Sequence, residues 1–186
     1  ALSMRAAAAF DGGSEADRAL ARIAVALAKF LNNKRCPPVV AEAMEVLGGM
    51  GYVEDTPLPM LYREAPLNGI WEGSGNVICL DILRTLAKEP LAGAALVAEL
   101  DAATGTAFRN RWKGVPPEAE ARMFAERAAL LLAASVLIRH APAVVADGFT
   151  ATRVAGERGQ VAGAVSGLDT AALIARLGPQ PATEAS

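Results

Sequence analysis

Residues 44–83 read MEVLGGMGYVEDTPLPMLYREAPLNGIWEGSGNVICLDIL, and the rest of the chain is organised around this stretch. It holds Gly48, Gly49 and Gly51 close together, then Pro57, Pro59 and Pro66, and a lone carboxylate, Glu72, set between Trp71 and Gly73. Glycine permits positive φ and close approach of the backbone to a neighbour, while the prolines forbid one continuous helix. From Ser74 the pattern changes. Val77, Ile78, Leu80, Leu83 and Leu86 recur at helical spacing, so Ser74 is expected to cap a helix, with Glu72 just ahead of its N-terminus.

Outward from this stretch both flanks read as helix. Residues 1–10 resemble the last turns of a helix closed by Asp11-Gly12-Gly13. Ser14 can cap the next one, with Glu15 and Asp17 in its first turn and an apolar face of Leu20, Ile23, Ala24, Leu27, Phe30 and Leu31. Asn32 to Arg35 are expected to end that helix, and Pro37-Pro38 to open another that stops at Gly48-Gly49. Beyond Pro90 we expect a helical segment over 91–112 with a break at Thr104-Gly105, and a long helix from Pro116-Pro117 to about His140. A further helix should start at Pro142 and weaken near Gly156. A loop over 156–167, a short final helix capped by Asp169 and a frayed tail, GPQPATEAS, complete the reading.

The composition agrees. Hydrophobic residues make up 53% of the chain, largely through alanine, and aromatics 5%. That mixture favours close-packed helices over sheet, because alanine is the best helix former and strands want branched or aromatic residues. The fold class expected is all-α, a helical bundle over 1–89 with additional helices over 90–186 packed on it. A net charge of −2 gives no bulk attraction to nucleic acid or anionic membrane. No apolar run reaches the roughly 18 residues a membrane helix needs. The opening ALSMRAAAAF lacks a signal-peptide pattern and reads as the middle of a helix, so a fragment of a cytoplasmic protein is expected. Cys36 and Cys79 read as reduced core thiols, His140 as a helix-end residue, and no metal-ligand cluster is visible.

Glu72 is the residue with chemistry to offer. A carboxylate against an indole wall can serve as a general base, although a helix start nearby favours its charged form. A plain capping glutamate is the alternative that these residues alone leave open. The glycine turn does not fit a dinucleotide fingerprint, and no strand precedes it.

LGGMGYVED followed by LYREAPLNGIWEGSGNVICLDILRTL resembles the C-terminal helical domain of the acyl-CoA dehydrogenase family, in its alkylation-response branch. HAPAVVADGFTATRVAGERG and GLDTAALIARL resemble the extra C-terminal helical region of that branch. The resemblance implies that Glu72 is the base that removes the α-proton of an acyl-CoA thioester, beside FAD. It implies that Trp71 lines the acyl and flavin pocket and that Ser74 and Asn76 contact the flavin nucleotide. Leu47, Gly48 and Gly49, with Glu45, would approach the FAD of a neighbouring subunit. Glu45 stands where many members carry Gln, and Met50 where many carry Asn. The family's N-terminal helical and middle β domains are absent from the sequence, so the isolated chain is expected to bind FAD poorly.

Two further expectations follow. The branch implies a DNA-binding role. Yet residues 90–186 carry nine Lys/Arg and nine Asp/Glu, so only the local patch Arg109, Arg111 and Lys113 remains as a candidate phosphate contact. The numerous apolar helices suggest a homo-oligomer, a dimer or tetramer, with this domain as its association core.

Overall fold

The computed structural model describes residues 1–178; the expected frayed tail, apart from Gly178, lies outside the described residues. Among these residues every regular element is helical, which confirms the all-α class. Helix α1 (Leu2–Asp11) leads into α2 (Glu15–Val46), a 3₁₀ turn at Gly48–Gly51, α3 (Leu58–Glu64), a second 3₁₀ turn at Leu67–Gly69 and α4 (Gly75–Lys88). Then come α5 (Pro90–Glu99), α6 (Ala102–Arg111), a 3₁₀ turn at Glu118–Glu120, α7 (Ala121–His140), α8 (Ala143–Phe149), a π-helical turn at Thr150–Ala155 and α9 (Thr170–Ala175). No helix among the described residues is long and apolar enough to cross a membrane.

The start of α2 follows its local signals. Ser14 Oγ accepts from the Asp17 backbone N–H at 3.0 Å, and the Asp17 carboxylate reaches back to the Ser14 N–H, a complete capping box. Ile23 and Leu27 are fully buried on the face that the periodicity predicts. Facing them is α7, an alanine-rich helix buried along most of its length from Ala121 to Ser135. Alanine lets neighbouring helices approach closely, and Ile82 of α4 and Leu96 of α5 fill the gaps between them. Each such fully buried aliphatic side chain stabilises the fold by about 2 kcal/mol. A single apolar core thus takes residues from both sides of position 90.

Two boundaries differ from expectation. The helix does not end at Asn32 to Arg35: α2 runs unbroken to Val46 with Pro37 and Pro38 inside it. A proline keeps a helical φ but forfeits a hydrogen bond, at about 3 kcal/mol in a helix interior. Tertiary contacts outweigh this, because the second half of α2 carries the Gly48–Gly51 turn, α3 and the Leu67–Gly69 turn along its side. The second correction concerns the break after α5, which falls at Leu100-Asp101 instead of Thr104-Gly105. Ser135 decides it. Its buried hydroxyl accepts the Asp101 N–H at 2.7 Å and donates to the Leu131 carbonyl at 2.9 Å. The Asp101 carboxylate then accepts the Thr104 N–H at 3.1 Å and caps α6. At the far end, the Asp169 side chain caps α9 by accepting from the Ala172 N–H, as expected.

One ion cluster ties three helices together. Glu99 at the end of α5 accepts from Arg5 Nε of α1 at 3.0 Å and from Arg139 Nη2 of α7 at 2.6 Å. The Arg5 hydrogen bond, helped by Arg139, holds the Glu99 carboxyl below the usual carboxylate range against the opposing effect of partial burial. A lowered folded-state pKa gives stability that is present above the ordinary glutamate value and is lost as pH falls through the depressed one. Glu99→Gln should therefore lower the unfolding free energy at pH 7 by about 1–3 kcal/mol. In urea unfolding the gap from the wild type should close as pH falls through the depressed pKa; equal stabilities at pH 7 would count against the cluster.

Candidate functional site

The site is built on one side of α2. Lys29 Nζ donates to the carbonyl oxygens of Trp71 at 3.0 Å and Glu72 at 2.6 Å. One turn on, Asn33 Nδ2 donates to the Asn68 carbonyl. These bonds hold the loop between the Leu67–Gly69 turn and α4 against the helix. Glu72 is strained within that loop: its φ of 52° is the only positive value at a non-glycine residue among those described. A left-handed backbone costs a side-chain-bearing residue about 1 kcal/mol or more, so its persistence shows that the surroundings fix it.

Ser74 occupies the N-cap position of α4 with extended dihedrals, as expected, but its side chain makes no capping hydrogen bond. Asn76 Oδ1 accepts from Arg122 of α7 at 2.7 Å, and its amide N–H groups have no partner among the described residues. Glu72 and Gly73 border a shallow cleft of about 280 Å³ together with Arg22, Lys29, Asp81 and Arg84. Arg22 and Arg84 pair with Asp81 at 2.9 and 3.3 Å, so the cation over the Glu72 loop is Lys29.

The indole does not bury the carboxylate within this chain: Trp71 is 55% exposed and Glu72 is exposed as well. Apolar side chains earlier in this stretch of sequence share this openness. Val46 is 84% and Ile70 65% exposed, and Leu47, Met50, Tyr52 and Met60 are exposed too. So many open apolar side chains within residues 46–71 are what an interaction face requires.

In the glycine turn the singular position is Gly51. A Cβ there would fall 2.0 Å from the Met44 carbonyl oxygen, whereas at Gly49 it would meet nothing within 4 Å. Gly48 has φ of +57° and likewise opens onto free space. Glu45 is exposed on the last turn of α2 beside them.

The remaining candidates lie elsewhere. Arg111 pairs with Glu120 at 3.2 Å and stacks on Trp112, and Arg109 donates to Thr106 Oγ1 at 3.1 Å. The half-buried Trp112 ring packs against Phe108 and Phe124, and its Nε1 donates to Glu120 at 2.7 Å. Lys113 is exposed. Both cysteines are free thiols; Cys79 is buried, which pushes its thiol pKa up, and Cys36 is half-buried. Among the described residues no cluster of three or more His, Cys, Asp or Glu could hold a metal ion. Sequence reasoning missed Lys29, Asn33 and Arg122, polar residues on amphipathic helices whose partners lie at least 35 positions away.

Residues 1–87 match the family model for the acyl-CoA dehydrogenase C-terminal domain. Over these residues, just under half of its length, the chain is similar to the acyl-CoA dehydrogenase family. The putative acyl-CoA dehydrogenase AidB of Escherichia coli K12 is 58% identical over 90 residues, covering 48% of this chain and 17% of that protein. Acyl-CoA dehydrogenase family member 11 of Caenorhabditis elegans is 42% identical over 71 residues, 38% of this chain and 12% of that protein. The crystal structure of C. elegans ACDH-11 in complex with C11-CoA superposes with a TM-score of 0.65 at 26% identity, covering 75% of this chain and 29% of that one. The share of 75% is more than residues 1–87 can supply, so the likeness to that structure continues past α4. The chain spans under a fifth of the length of these two relatives.

The glycine geometry gives a direct check on the turn. Gly51→Ala should cost about 2 kcal/mol or more, because backbone must move to admit the methyl group. Gly49→Ala should fall within about 0.5 kcal/mol of the wild type. Thermal unfolding followed by circular dichroism compares the two, and equal midpoints would show that the turn is not gripped at Met44.

Proposed function

We propose that this chain is the C-terminal segment of a flavin-dependent dehydrogenase that forms an α,β double bond in an acyl-CoA thioester, with Glu72 as the base. The observation that supports it most is the strained Glu72 backbone, clamped by Lys29 at the rim of a cleft beside an exposed indole. The α-proton of a thioester is weakly acidic, so its removal needs a carboxylate held in a fixed place, not one sampling many rotamers in water. Glu72 takes the α-proton onto its carboxylate oxygen; Lys29 fixes the loop from behind without touching that carboxylate. When bound, FAD supplies the acceptor for the hydride that leaves the β-carbon.

The residues present fit such a cofactor. The Ser74 hydroxyl is uncommitted, Asn76 has its amide donors free and the Trp71 ring is uncovered. On this reading Trp71, Ser74 and Asn76 hold the flavin end. Glu45, Leu47, Gly48 and Gly49 meet the cofactor of a neighbouring subunit, where the open space over both glycines admits a close approach. The apolar band from Val46 to Trp71 is covered in the assembled protein by its other domains or by a second copy, which also excludes water from Glu72. On this reading residues 1–89 form the bundle, and the described residues from 90 onward form the region packed on it. The acyl-CoA complex of ACDH-11 supports the choice of ligand class.

Glu72→Gln in the full-length protein should leave the flavin spectrum intact. It should lower both exchange of the substrate α-proton with D₂O and flavin bleaching by about 10³-fold. Unchanged exchange would place the base on another residue. Titration of the isolated chain with FAD should give no stoichiometric yellow complex, since most of the cradle belongs to the rest of the protein.

A further inference from the structure

A second cavity lies away from Glu72, between the middle of α2, the start of α7 and the π-helical turn after α8. It measures about 730 Å³. Six cations line it, Lys34 and Arg35 from α2, Arg122 and Arg127 from α7, and Arg153 and Arg158 from the π turn and the residues after it, against one carboxylate, Glu126. None of the six is within ion-pair distance of an acid among the described residues, although six other arginines in the fold have carboxylate partners. Three of them are steadied by neutral acceptors instead: Arg122 by Asn76 Oδ1, Arg127 by the Val154 carbonyl and Arg158 by the Gly159 carbonyl.

The backbone is shaped to this end. Thr150–Ala155 is wound as a π-helix that closes with the Gly156 N–H on the Ala151 carbonyl, and Gly156 ends it in the left-handed region. Five consecutive residues, 152 to 156, face the cleft. Arg153 is one of these five residues, so the π turn and the residue that ends it form this wall of the cleft. Single π turns recur at functional sites, because they are costly and persist where something selects them. Arg153 bears the cost: burial lowers its pKa, and the charges of Arg35 and Arg158 lower it further. Cations left to repel one another, with a single carboxylate on the wall and none in ion-pair contact, are relieved by an anion of compact, high charge.

We propose that this cleft is a binding site for an oligophosphate anion, a group of the pyrophosphate class carried by a small molecule. A long nucleic-acid backbone suits it less, since the chain as a whole carries net charge −2 and the excess of cations is confined to one hollow. Arg153, Arg158, Arg35 and Arg127 grip the phosphate oxygens. Lys34 and Arg122 close the end nearest α4.

The test is calorimetric titration of the flavin-saturated full-length protein, so that the flavin site is already filled, with inorganic pyrophosphate, ADP and a 20-base-pair duplex as separate probes. Pyrophosphate should bind and raise the unfolding midpoint, and its affinity should fall as salt is raised from 50 to 200 mM. Arg153→Gln should weaken it about tenfold or more. Glu126→Gln, which removes the one opposing charge, should tighten it severalfold, an effect that damage to the fold would not produce. Lys88→Gln, exposed and outside the cleft, should leave it unchanged. Tighter binding of ADP than of pyrophosphate would identify a nucleotide as the source, and equal binding the phosphates alone; both support the site. Binding of the duplex without binding of pyrophosphate or ADP would overturn it. So would the absence of any heat from both small anions, or an affinity indifferent to Arg153→Gln and Glu126→Gln.

Discussion

A lysine ammonium beneath two carbonyl oxygens sets the geometry of this domain: Lys29 against Trp71 and Glu72. The next bond along α2, Asn33 to Asn68, and the close approach of Gly51 to the Met44 carbonyl continue the same grip. At 100° per residue, positions 29, 33 and 44 fall within about 60° of arc on one face. The buried residues Leu20, Ile23, Leu27 and Leu31 occupy a different face. The helix therefore has two jobs on two sides, a core seam and a clamp for the loop that carries Glu72. Continuity through Pro37 and Pro38 follows from this. A break there would rotate Met44 out of line with Lys29 and Asn33, and the loop would be held at one end only.

What could be read from the residues, and what could not, divides along the same line. Signals that act within four residues were legible: the Ser14–Asp17 capping box, the Asp169 cap, the apolar periodicity and the helix starting after Ser74. Signals whose meaning depends on a distant partner were not. The prolines read as a boundary because their local cost is real, and nothing nearby in sequence announces the contacts that outweigh it. Thr104-Gly105 read as a break by composition, while the break is placed by Ser135, 34 residues from the Asp101 amide it binds. Three glycines looked equivalent in the turn, yet only Gly51 is crowded, because the Met44 carbonyl that crowds it is brought there by folding. The site was legible as a motif and as a family resemblance. Its strain was not, because φ at Glu72 is set by Lys29.

The exposure of Trp71 has a physical meaning beyond the missing surroundings. A general base works best where water is excluded and its rotamers are few. This chain supplies the second condition at the level of the backbone and leaves the first to whatever covers the band from Val46 to Trp71. The second half of α2 beyond Leu31 has no fully buried residue, so it extends the clamp away from the core and presents Val39, Val46 and Leu47 outward. A segment so built gains little from folding alone and much from being docked, because the apolar surface it exposes is stabilising only once another surface removes it from water.

Charge gives the complementary lesson. Over residues 90–186 acids and bases cancel, and a sum of zero reads as indifference to anions. The fold does not distribute them evenly. Glu99 and Glu120 are committed to Arg5, Arg139 and Arg111. Those pairings use up carboxylates where they staple helices and leave Arg127, Arg153 and Arg158 to gather with Lys34 and Arg35 from the other half of the chain. Coulomb interactions are screened within about 10 Å in ordinary salt, so a ligand in that hollow responds to the six cations lining it and hardly at all to the balance of the whole. Net charge therefore bounds what a long polyelectrolyte would experience, and says nothing against a compact anion.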